Sequence, residues 1–61
     1  MSGVKYLVVE RAATPDERVV AELDALDEAI LHVLIQYSEY ERCWRGVKIC
    51  REEHGRRSYE V

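Results

Sequence analysis

Between Pro15 and Gly46 the chain contains neither proline nor glycine, the two residues that most readily stop a helix. Within that tract Val19, Leu23, Leu26, Ile30, Val33, Leu34, Tyr37 and Trp44 recur at spacings near three and four. Such a stripe predicts one amphipathic helix from Pro15 to about Arg42. Thr14-Pro15-Asp16-Glu17 supplies its start. Threonine suits the N-cap, proline needs no N–H at the first helical position, and Glu17 can reach back to the cap's backbone. Asp16 and Glu17 also complement the positive end of the helix dipole. At ~1.5 Å per residue this helix would span roughly 42 Å. A seven-residue strand spans only ~23 Å, so the helix is expected to overhang its sheet.

The rest of the chain reads as strands. Val4 to Glu10 is short, β-branched and aromatic. Val4, Tyr6 and Val8 point to one face and Leu7 and Val9 to the other, a pattern normally covered on both sides. Gly46 ends the helical tract, Val47 to Glu52 alternates as a second strand, and Ser58 to Val61 forms a third. A three-residue loop, Glu53-His54-Gly55, sets Val47 opposite Val61, Ile49 opposite Tyr59 and Lys48 opposite Glu60. Gly55 then takes the left-handed position of a G1 bulge. A two-residue loop at His54-Gly55 would set Ile49 opposite Glu60 and mix the faces. The expected fold class is α+β: one domain over 1–61, in the order β-α-β-β, with one long helix packed on a three-stranded antiparallel sheet. The third strand is expected between the first and second, which keeps the crossover right-handed.

Composition limits the function classes. The 61 residues are 48 % hydrophobic and 34 % charged, the balance of a folded domain rather than a disordered tail. No apolar run reaches the ~18 residues of a membrane span. The N-terminus lacks a secretory pattern, and two cysteines cannot build a disulfide framework, so a reduced, cytoplasmic protein is expected. A core this small is marginal by itself, which favours a second subunit. Residues 1–40 hold eight acidic and three basic side chains, net −5, and residues 41–61 hold four acidic and six basic, net +2. Glutamates interrupt the basic tract, which weakens a nucleic-acid reading through the C-terminal hairpin without removing it.

The candidate functional surface lies on the helix. Ala29 to Ser38 contains no charged residue. Leu31 and Ile35 fall off the core stripe, near Val20, and one sheet face cannot easily cover both stripes. Val20, Leu31 and Ile35, with Leu7 and Val9 on the outer face of the first strand, are the expected interface. Asp24, Asp27 and Glu28 form an acidic flank beside it. Arg51 and Arg57 fall opposite each other in the favoured register, where like charges need a carboxylate between them, so they point to an acidic partner surface. Trp44 completes the set of partner contacts, as a core residue with Tyr37 or as a stacking platform. Cys43, Cys50, His32 and His54 lack the spacing of a zinc site, so no metal is expected. His32 is the one candidate general base, and no nucleophile or phosphate loop accompanies it, so no enzyme or cofactor is expected either.

Two resemblances bear on function. A helix followed by a tryptophan, Trp44, at the start of the second strand of a short β-α-β-β chain is similar to dodecin. That likeness rests on the architecture and on Trp44, and implies an oligomer that binds a planar ligand such as flavin. In size and composition the chain also resembles the small accessory proteins of phages and mobile elements, including anti-CRISPR inhibitors. That resemblance implies a module that binds another protein and acts by steric occlusion, which is the expected function; a homodimer is expected separately, from the small core, the helix overhang and the two-sided first strand.

Overall fold

The computed structural model describes residues 3–60. Six elements follow one another: β1 (Val4–Glu10), β2 (Arg18–Leu23), α1 (Leu26–Gln36), α2 (Glu39–Trp44), β3 (Lys48–Glu53) and β4 (Arg56–Tyr59). The class is α+β, but the order is β-β-α-β-β. All four strands are antiparallel neighbours in one sheet, in the order β2-β1-β3-β4. The sheet has one strand more than expected, and the long helix from Pro15 does not exist.

What replaces its first third is β2. Arg18-Val19-Val20-Ala21-Glu22-Leu23 also reads as a strand, with a β-branched pair at its centre. β1 is apolar on both faces and has two edges of backbone groups to satisfy, and β2 satisfies one of them. A bulge between Val8 and Val9 sets Ala21 opposite Val8 and Val19 opposite Val9, leaving Val20 as the extra residue. The Thr14-Pro15-Asp16-Glu17 segment shapes the β1–β2 connection instead of a helix. The Thr14 hydroxyl donates to the Arg11 carbonyl (2.6 Å) and accepts from the Asp16 N–H (3.3 Å). The Glu17 carboxylate does reach back, but to the Ala13 N–H (3.0 Å).

The remaining helical tract breaks at Tyr37-Ser38. Ser38 is a true N-cap: its hydroxyl accepts from the Glu41 N–H (3.1 Å), and the Glu41 carboxylate accepts from the Ser38 N–H (3.2 Å). α2 closes at Gly46, φ +62°, with Val47 N–H donating to the Arg42 carbonyl (3.1 Å), which completes a Schellman motif. Trp44 therefore ends a helix rather than opening a strand. Together with the fourth strand, this removes the architectural ground for the likeness to dodecin.

The hairpin also differs from expectation. His54 and Gly55, both at positive φ, form a two-residue turn that sets Glu53 opposite Arg56, Glu52 opposite Arg57, Arg51 opposite Ser58 and Cys50 opposite Tyr59. The Glu60 N–H donates to the Ile49 carbonyl (2.8 Å). Opposite charges meet across the strands in this register, whereas the three-residue loop would have opposed Arg51 to Arg57. The expected Val47–Val61 pairing lies outside the described residues. β3, not the last strand, neighbours β1. Ile49 and Cys50 are apolar on successive faces and need a central position, while Arg56-Arg57-Ser58-Tyr59 suits an edge.

The sheet buries residues on both faces. On one side Val8 and Ile49 pack with Ala29 and Val33 of α1, joined by Tyr6, Leu23, Leu26 and Val47. On the other, Leu7, Val9 and Cys50 pack with Ala12 of the β1–β2 connection. The Tyr59 hydroxyl anchors that connection by accepting from the Ala13 N–H (2.9 Å) and donating to the Glu17 carboxylate.

Gly46 and Gly55 allow a comparison of two causes of strain. Both adopt positive φ, so Gly55→Ala should cost about 1 kcal/mol in backbone strain alone, because open space surrounds its missing Cβ. At Gly46 a Cβ would also lie against the Arg11 and Ala12 backbone at 3.4–3.6 Å, the near limit of ordinary contact, which leaves the strained turn little room to relax. Gly46→Ala should therefore destabilise the fold more than Gly55→Ala, as read from urea unfolding midpoints.

Candidate functional site

α1 is short, and only two of its residues, Ala29 and Val33, are buried. They lie one turn apart and face the sheet. The opposite side presents Leu31 at 57 % exposure, Leu34 at 54 % and Ile35 at 70 %. Their spacing of three and four places all three on one surface. Leu31 and Ile35 are where the residue pattern put them. Leu34 is not: it belongs to the outer face, as does much of Ile30, rather than to the core stripe. Asp27 and Glu28 occupy the first turn of α1 and Asp24 the bend before it, all exposed. Together they set an acidic rim at one end of an aliphatic surface.

The other expected interface residues are scattered. Val20, at the bulge, borders a recess with His32 and Tyr37. Leu7 and Val9 are buried within the chain itself, so the two-sided first strand is already covered by its own connection. Arg51 and Arg57 are not brought together: Arg51 donates to Glu53 (2.9 Å) and Arg57 to Glu52 (2.9 Å), on opposite faces of the sheet. These ion pairs take the place of an acidic partner. Cys43 is exposed and Cys50 buried, both as free thiols. Burial raises the Cys50 thiol above its usual pKa. Among the described residues no group of three or more His, Cys, Asp or Glu side chains could hold a metal ion.

A second locus was not singled out from the residues. Glu10, at the end of β1, is a carboxylate only 8 % exposed. The strand period puts it on the same face as Tyr6 and Val8, and that alternation is the signal that could have found it. Three elements supply its partners. Arg18 of β2 donates to one oxygen (3.1 Å), the Tyr37 hydroxyl donates to the other (2.5 Å), and the Arg45 guanidinium lies 3.8 Å away. The Tyr37 bond, helped by Arg18 and Arg45 and opposed by burial, holds the Glu10 carboxyl below its ordinary pKa. Burial, then Glu10 itself, pushes Tyr37 up to about 12.

Next to Glu10 a cleft opens between the β1–β2 connection and the end of α2, lined by Glu10, Arg11, Asp16, Arg18, Trp44 and Arg45. Trp44 is 61 % exposed there, and the Arg45 guanidinium lies 5.2 Å from the centre of its ring. It does not share the core position of Tyr37, which packs against the sheet-side cluster.

No family model, characterised protein or solved structure matches the chain.

The Glu10–Tyr37 pair predicts a pH response. Glu10's pKa is depressed in the fold, so its contribution is present above the ordinary value of 4.5 and is lost as pH falls below it. Tyr37's pKa is raised, so its contribution is present below 10.0 and is lost as pH rises toward about 12. Tyr37→Phe removes a hydrogen bond to a charged group and should cost about 1.5–3 kcal/mol at neutral pH. It should also flatten the acid limb, because Glu10 moves back toward its ordinary pKa. Urea unfolding at pH 7 and pH 3 checks both effects.

Proposed function

We propose that this protein is a protein-binding module that acts by covering a surface of its partner with the outer face of α1. The observation that carries this reading is the exposure of Leu31, Leu34 and Ile35 on one side of a helix with no charged residue from Ala29 to Ser38. A contiguous aliphatic surface with a charged rim is what an interaction site looks like. Full burial of each side chain is worth ~1.5–3 kcal/mol relative to exposure. The acidic rim of Asp24, Asp27 and Glu28 selects a partner whose apolar groove is edged by basic residues. The effect on the partner is steric occlusion, in the manner of small phage-type accessory proteins and inhibitors, in a reducing compartment such as the cytoplasm where the two thiols stay free.

A second copy of the chain is the alternative occupant, and the small core favours it: Val8 and Val9 are the only large side chains that are fully buried among the described residues. Two α1 helices packed antiparallel about a two-fold axis would match aliphatic centre to aliphatic centre and keep the two acidic turns at opposite ends.

Leu31→Glu with Ile35→Glu tests the reading. Both sites are solvent-facing and glutamate is a good helix former, so far-UV circular dichroism should stay unchanged. Light scattering should show a dimer of the wild type and a monomer of the variant if the second copy is the occupant. A monomeric wild type leaves the foreign partner, and affinity capture should then lose its specific partner in the variant. A folded variant that associates like the wild type and keeps every captured protein rules out this face.

A further inference from the structure

We propose that the cleft between the β1–β2 connection and the end of α2 binds a nucleoside monophosphate, with the base on Trp44 and the phosphate on Arg11. Three guanidiniums, those of Arg11, Arg18 and Arg45, border the cleft against two carboxylates, Glu10 and Asp16. Glu10 is already committed to Arg18 and Tyr37. Arg11 is different: it is exposed on the cleft lining, and among the described residues its guanidinium has no hydrogen-bond or ion-pair partner, which leaves its donors available to an anion.

The position of Arg11 is fixed at a cost. It is a non-glycine residue at φ +55°, followed by Ala13 at +62°. Such backbone persists only where the surroundings enforce it, and it concentrates at binding sites. Here the Arg11 N–H donates to the Arg45 carbonyl (2.8 Å) and the Ala12 N–H to the Gly46 carbonyl (3.0 Å). These bonds hold the Arg11 backbone against the end of α2, the helix that carries Trp44. The backbones that carry the Arg11 side chain and the Trp44 ring are therefore tied together at one junction.

The chemistry of the lining then narrows the ligand. The largely exposed indole offers a flat surface on which any base can stack. Arg45, against the same ring, adds cation–π character to that platform. Asp16 has no side-chain partner among the described residues and can accept a hydrogen bond from a sugar hydroxyl. The cleft volume of about 560 Å³ lies within the ordinary range of small-molecule sites. Its single excess positive charge balances one phosphate group better than three.

Trp44 is the only tryptophan, so its fluorescence reports on this cleft and not on α1. The wild type is titrated with adenosine 5′-monophosphate, adenosine, ribose 5-phosphate and a short single-stranded oligodeoxynucleotide, with excitation at the red edge of the indole band where adenine does not absorb. Saturable quenching by the monophosphate is expected, with adenosine and ribose 5-phosphate each binding about tenfold or more weakly, since each lacks one of the two contacts. Arg11→Ala should weaken the monophosphate by about tenfold and leave adenosine unchanged, with an unaltered circular dichroism spectrum. The proposal is overturned by the absence of saturable quenching, by adenosine binding as tightly as its monophosphate, or by an Arg11→Ala variant that binds like the wild type. Binding of the oligonucleotide about tenfold tighter than the monophosphate would also overturn it and assign the cleft to a nucleic-acid strand.

Discussion

β1 has two apolar faces and two unsatisfied edges, and everything else in the fold answers to that. Its edges are paired by β2 and β3, which makes it an interior strand of the sheet. Its Val8 face is covered by α1 and its Leu7–Val9 face by the connection that leaves β1 itself. A strand that needs four coverings cannot leave Arg18–Leu23 free to join a helix. The cost of an unpaired edge, spread over several backbone groups, exceeds the modest helix preference of six residues.

Glu10 is where this strand meets the rest of the chain. Arg18, Tyr37 and Arg45 converge on its carboxylate from β2, from the end of α1 and from the cap of α2. Charge-assisted bonds to a buried acid are directional, so they fix the angle at which the two helices leave the sheet. The backbone bonds from Arg11 and Ala12 to residues 45 and 46 fix the same junction from the other side. α1 is consequently held with Ala29 and Val33 inward, and its aliphatic face is left outward. Trp44 is held at the mouth of the cleft. The elements that carry both candidate surfaces meet at this one buried carboxylate.

The candidate interface was legible in part because local composition and helical period do not depend on where a helix begins. Leu31 and Ile35 lie four apart in a charge-free stretch, and they stay on one face in a long helix or a short one. Leu34 and Trp44 fall inward only when their place is counted along a continuous helix from Pro15. Once the helix starts at Leu26 and breaks at Ser38, that count no longer holds. The Ser38-to-Glu41 capping box was present in the residues but sat inside a tract that looked unbroken. Thr14 and Glu17 illustrate the opposite case. Both groups find backbone partners close to those a helix cap would use, yet they close a turn.

From its sequence alone the chain determined an α+β class, a two-sided first strand, a helix end at Gly46, the presence of a C-terminal hairpin with Gly55 at positive φ in its turn, and a charge-free helical face. These follow from interactions between near neighbours: side-chain period, φ preference and the absence of charge. Tertiary structure alone decided the identity of residues 18–23, the strand order, the hairpin register and the gathering of Glu10 with three partners. Each of those depends on pairing between residues far apart in the chain. Arg18–Leu23 can satisfy its backbone in a helix or in a strand, and only the open edge of β1 distinguishes the two.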